Sequence, residues 1–96
     1  MVKHVLFVKL KNPGEEECRR IKELFLSMKE RIDFIREIQV GVDFLHSQRS
    51  YDVALELTVD SRADLERYQS HPYHVEQVKP VVHQMRQGSA TVDYEF

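Results

Sequence analysis

A chain of 96 residues, 42% hydrophobic and 31% charged, can build one small core and has no room for a second. Its 14 basic and 16 acidic residues are scattered and leave a formal charge of -2, so no basic stripe is available for a phosphate backbone and nucleic acid is not an expected partner. No apolar run is long enough for a membrane span, no export signal opens the chain, and the lone Cys18 cannot form an intrachain disulfide, so a cytoplasmic protein is expected.

The first predicted element is a strand from Val2 to Leu10. Val2, His4, Leu6, Val8 and Leu10 fall on one side and Lys3, Val5, Phe7 and Lys9 on the other, leaving both faces largely apolar. Asn12-Pro13-Gly14-Glu15 reads as a helix start, with Asn12 as N-cap, Pro13 at the first helical position and Glu15 to Glu17 favoured by the helix dipole. Cys18, Ile21, Leu24, Phe25, Met28 and Ile32 form its inner stripe.

A second strand is predicted over Ile35 to Leu45, where Ile38, Val40, Val42 and Phe44 alternate with polar positions, and Gly41 suggests a bulge or bend. His46 to Ser50 forms a polar turn. A third strand follows, with Tyr51, Val53, Leu55, Leu57 and Val59 on one side, and the two strands form an antiparallel hairpin. Ser61-Arg62-Ala63-Asp64 caps a short helix that ends near Ser70. Pro72 and Pro80 divide the remainder into a turn and a helix with Val75, Val78, Val82 and Met85 as its apolar side, ended by Gly88. Ala90, Val92, Tyr94 and Phe96 alternate in a closing strand.

The order βαββαβ over residues 1–96 implies a single α+β domain of ferredoxin-like plan, with helices on one face of a four-stranded antiparallel sheet. The helices shield one face only, while the first strand is apolar on both sides and the hairpin strands each carry a full apolar row. The uncovered face is expected to pair with a second copy as a homodimer, with a pocket between the two sheets.

The segment Tyr68-Gln69-Ser70-His71-Pro72-Tyr73-His74 holds two tyrosines and two histidines in one turn region. With the opening Val2-Lys3-His4-Val5-Leu6-Phe7, the segment Tyr51-Asp52-Val53-Ala54-Leu55 and the Ser61-capped helix, this motif resembles the stress-responsive A/B barrel (Dabb) family along the whole chain. The resemblance implies pairing as a dimeric α+β barrel. In a branch that is similar in this motif, plant polyketide cyclases, the second histidine of H-P-x-H acts as base and the tyrosine holds the substrate carbonyl. Those roles would fall on His74 and Tyr68.

An imidazole can take a proton from an acidic carbon, and a phenol can donate to the enolate oxygen that develops. His4 matches a histidine common in the family and would face the inter-sheet space beside Leu6 and Val8. With His71 and Tyr73, these three complete the expected substrate contacts. Each has a plainer reading: His71 shapes the turn before Pro72, Tyr68 and His4 are satisfied core residues, and Glu15 to Glu17 are a solvated first turn. His71 and His74 lack the helical alignment and companions of a metal site, so no metal or cofactor is expected. Three functions follow: a cofactor-independent cyclase, lyase or isomerase on a small carbonyl compound, a non-catalytic ligand-binding module connected with stress, or a cofactor-free monooxygenase.

Overall fold

The computed structural model describes residues 1–96. Strand β1 (Val2–Leu10) lies between β3 (Val53–Val59) and β4 (Arg86–Glu95), and β2 (Glu37–Val42) flanks β3, giving the order β2-β3-β1-β4 with every pair antiparallel. Helix α1 (Glu15–Arg31) links β1 to β2. Between β3 and β4 the chain forms α2 (Arg62–Ser70), a π-helical segment Tyr73–Val78, and α3 (Lys79–Met85). This is the expected ferredoxin-like α+β fold.

The core is one cluster between sheet and helices. Val8 and Leu10 of β1 and Leu55 and Leu57 of β3 pack with Ile21, Phe25 and Met28 of α1, and α2 and α3 contribute Tyr68 and Val82. Burial pushes the Cys18 thiol pKa up, consistent with its place on the inner stripe. Ser61 caps α2 as expected, its hydroxyl accepting the Asp64 N–H at 3.2 Å.

Several local expectations are corrected. The N-cap of α1 is Gly14, not Asn12, and Pro13 lies outside the helix; starting at Glu15 puts all three glutamates beside the free N–H groups of the first turn. Strand β2 stops at Val42 because its partner β3 begins at Val53. Beyond it the Asp43 carboxylate accepts the His46 N–H at 2.7 Å, and His46 turns the chain at φ 55, a left-handed value found more often for His than for most residues. Phe44 is thereby left outside the strand and 87% exposed. Gly41 sits in regular register opposite Ala54, and the sheet's irregularity falls instead between Lys9 and Leu10. Gly88 does not end a helix; α3 ends at Met85, and Gly88 pairs with Lys9 inside β4.

Pro80 lacks the N–H that a helix would use four residues back, and the preceding turns widen so that the Lys79 N–H reaches the His74 carbonyl five residues away. Within these widened turns Val75 is exposed while Val78 is buried.

The two faces of β1 also differ from expectation. The apolar rows of β2 and β3 face the helices, and their outer side carries Gln39, Glu56 and Thr58. The uncovered apolar surface is concentrated on β1 and β4, where Val5 stands opposite Val92 and Phe7 opposite Ala90, with Tyr94 beside them opposite Lys3. His4, Leu6 and Val8 belong to the inner row and face the helices, not the outer, inter-sheet side. Residues two apart share a face, so His4 must follow buried Val2 and Val8.

One buried carboxylate extends the ladder past the end of β3. Asp52, 8% exposed, accepts the Leu10 N–H at 2.7 Å on Oδ2, while its own N–H donates to the Val8 carbonyl at 2.9 Å. Asp52→Ala leaves the Leu10 N–H without its acceptor and should cost about 1–3 kcal/mol in chemical denaturation, with Asp52→Asn closer to the parent because an oxygen acceptor remains.

Candidate functional site

The inner row of β4 is polar, with Ser89, Thr91, Asp93 and Glu95 all exposed, so the helix layer does not seal against it. A cavity of about 150 Å³ remains between β1, β4 and the helices. Leu6 and Val8 of β1, Phe25 of α1, and Val78 and Val82 form its apolar wall. Three rings, His4, Tyr68 and His74, line it together with Lys79, His83, Arg86 and Ser89; the His4 centroid lies 5.8 Å from that of Tyr68, which lies 4.6 Å from that of His74.

His4 is 8% exposed and its Nδ1 lies 2.5 Å from Asp93 Oδ1. The carboxylate accepts, so Nδ1 carries a proton, and Nε2 has no hydrogen-bond partner within the chain. His74 is held by different means. Its Nδ1 lies 3.2 Å from the Gln69 carbonyl, which can only accept, and again Nε2 is left free. Desolvation lowers the His74 pKa; the Gln69 bond opposes the shift, while Lys79, His4 and His71 reinforce it. The result is an imidazole that stays neutral near pH 7.

Tyr68 is almost wholly buried and its hydroxyl donates to Met28 Sδ at 3.8 Å. Burial, and next the Asp93 charge, raise its pKa well above the usual phenol value, so it remains a donor.

His71 and Tyr73 lie elsewhere. His71 Nδ1 accepts the Tyr73 N–H at 3.1 Å and its ring faces Phe34, so it caps the turn at Pro72. The Tyr73 hydroxyl meets Ser27 Oγ at 2.6 Å, and Arg31 of α1 lies over its ring. Thus His4, Leu6, Val8, Tyr68 and His74 are brought together, and His71 and Tyr73 are not. No three His, Cys, Asp or Glu side chains are grouped to hold a metal ion.

Sequence reasoning missed Asp93, Lys79, His83 and Arg86. Only Asp93 had a usable signal, an acidic residue within an apolar strand that can stand beside His4 when the end strands pair. A wider concavity of about 450 Å³ lies at the β2–β3 connection, lined by Phe7, Val42, Phe44, Tyr51 and Ala54 among others. It contains no histidine, and its two carboxylates are engaged by the backbone, Asp43 by the His46 N–H and Asp52 by the Leu10 N–H.

Residues 2–96 match the model of the Stress Responsive A/B Barrel Domain family, and the chain belongs to that family. Similar solved structures include a dimeric protein of unknown function with a ferredoxin-like fold from Bacteroides fragilis, 30% identical, covering 99% of this chain and 95% of that one at a TM-score of 0.82. A dimeric ferredoxin-like protein of unknown function from Thermobifida fusca is 16% identical, with coverages of 99% and 90% and a TM-score of 0.85. The hydroxynitrile lyase of Passiflora edulis is 17% identical, with coverages of 97% and 90% and a TM-score of 0.83. Comparison with curated proteins found no match. No helix is long and apolar enough to cross a membrane.

The hydrogen bonds predict tautomers that nitrogen NMR can read. His74 should be protonated on Nδ1 and His71 on Nε2, and His74 should titrate below the ordinary imidazole value of 6.5. Because its folded pKa is the lower one, the stability that His74 contributes is complete above 6.5 and is lost as pH falls through the folded value. A His74 midpoint above 6.5 would contradict the desolvated placement.

Proposed function

We propose that this member of the stress responsive A/B barrel family is a cofactor-independent lyase, isomerase or cyclase that acts on a small carbonyl compound in the cavity between sheet and helices. The observation that carries the reading is His74: Nδ1 is tied to the Gln69 carbonyl, Nε2 is free, and burial keeps the ring neutral in the wall of the cavity. Such a group can accept a proton from carbon or oxygen near neutral pH. Tyr68 remains a phenol and its present acceptor is a thioether, a weak one, which a substrate oxygen brought beside it would displace. His4, oriented by Asp93, would present its Nε2 to the substrate and fix it between the rings. The Passiflora edulis lyase has the same fold, so carbonyl chemistry of that kind is compatible with this frame.

A non-catalytic binding module is the second reading, favoured by the Tyr68 hydroxyl facing Met28 rather than standing free. The two separate by turnover. Exchange of α-protons of small ketones in D2O, or cleavage of small hydroxynitriles, should fall about 10²- to 10⁴-fold in His74→Gln, the usual contribution of a positioned base. The acid limb of kcat/KM should lie below 6.5, following the free His74 imidazole. Ketones that bind without exchange or cleavage would favour the binding module.

The same reading includes a homodimer. The apolar side chains Phe7, Val92 and Tyr94 are exposed, with half-buried Val5 paired to Val92, and similar structures from two organisms are described as dimeric. Two copies packed through these faces would form the expected barrel of two sheets, with each cavity on the far side of its own sheet. Val92→Asp should convert the dimer to a monomer by light scattering at micromolar concentration, and an unchanged dimer would place the interface elsewhere.

A further inference from the structure

The cavity has a chemical polarity that the carbonyl reading does not require. Its inner end is hydrocarbon from Leu6, Val8, Phe25, Val78 and Val82. Its remaining boundary includes Lys79, His83 and Arg86, and no Asp or Glu lines it. The carboxylate that borders this region, Asp93, is engaged by His4, and none of the six ion pairs includes Lys79 or Arg86.

Arg86 is positioned without being neutralised. Nη1 donates to Ser89 Oγ at 2.7 Å and Nη2 lies 3.3 Å from His83 Nε2, contacts that place the guanidinium without a carboxylate to neutralise it. Those two contacts use two of about five N–H donors, so the rest can receive an anion. Lys79 lines the same cavity as His74, and its charge is among the influences that lower the His74 pKa. Two cations beside an apolar recess concentrate a positive field, and an anion entering it would gain charge-assisted hydrogen bonds.

We infer that the cavity takes a small carboxylate with a short apolar body, the anionic head held by Arg86 and Lys79 and the body lying along Leu6, Val8, Val78 and Val82. The volume of about 150 Å³ matches a body of about six carbons, since a cavity near that size admits benzene. The inference rests on this cavity being the ligand site proposed above and narrows its substrate class to carbonyl acids. With the head at the cationic boundary, the carbon chain extends toward His74 and His4.

The test is binding of sodium hexanoate against hexanamide, which has the same shape and no charge, followed by amide chemical shifts at constant ionic strength. Hexanoate should perturb Leu6, Val8, Val78 and Val82 and bind about tenfold or more tightly than hexanamide, the scale of a hydrogen bond to a charged group. Arg86→Gln should remove most of that preference and Lys79→Gln part of it, with each variant's own spectrum reporting that it is folded. Equal binding of the two probes, or a preference that survives both substitutions, overturns the anion inference and leaves the cavity as a ligand site. Failure of both probes to perturb these residues overturns the inference and counts equally against the cavity proposed as the site.

Discussion

Strand β1 sits in the middle of the sheet, and its side chains must alternate between two faces of different character. A slip of one residue would replace Val8 and Leu10 in the core with Lys9 and Phe7, so the burial of Val2, Val8 and Leu10 sets the register of the whole strand. His4 is carried with them into the space beneath the helices. An imidazole there requires a partner, and the antiparallel register supplies one by setting Asp93 of β4 opposite it. The same alternation directs Val5 and Phe7 to the outer face, where Val92 and Ala90 are their neighbours. Core, cavity and uncovered surface therefore share one cause.

The second organising feature is the passage from α2 to α3. His71 Nδ1 accepts the Tyr73 N–H where the new helical segment starts, and the π-helical turns before Pro80 carry His74 and Val78, which line the same cavity. The Gln69 carbonyl, at the end of α2, then fixes the His74 tautomer. Two histidines on unrelated elements present a free Nε2 each, one governed by a carboxylate and one by a backbone carbonyl, on either side of Tyr68. Single π-helical turns often mark functional sites, and this one sets the position of the group best suited to accept a proton.

The elements and their order were legible in the sequence because the hydrophobic periods are strong: two-residue alternation in β1 and β3 and a three-to-four spacing in α1. The Ser61 cap was legible for a local reason, a hydroxyl three residues before an available N–H. Strand ends were less so, since Phe44 continues the β2 pattern although no β3 residue remains to pair with it. The stripe through Val75 assumed a regular helix, and with the widened turn before Pro80 Val75 is exposed while Val78 and Val82 stay buried. In the site, His4, Tyr68 and His74 were legible as residue types, and their convergence was not. The face assigned to His4 failed because both rows of β1 are apolar, so alternation alone does not say which row meets the helices. Lys79, His83 and Arg86 looked like ordinary surface residues until α3 and β4 placed them around one opening.

The division of labour between the two faces of the sheet can be tested in one experiment, an isotope-filtered NOESY spectrum of a dimer assembled from labelled and unlabelled chains. Methyl groups of Val5 and Val92 should show cross-peaks to the partner, and those of Val8, Val78 and Val82 should show none. Intermolecular cross-peaks from Val8 or Val82, or none from Val5 and Val92, would contradict the assignment of the outer face to the partner and the inner face to the ligand.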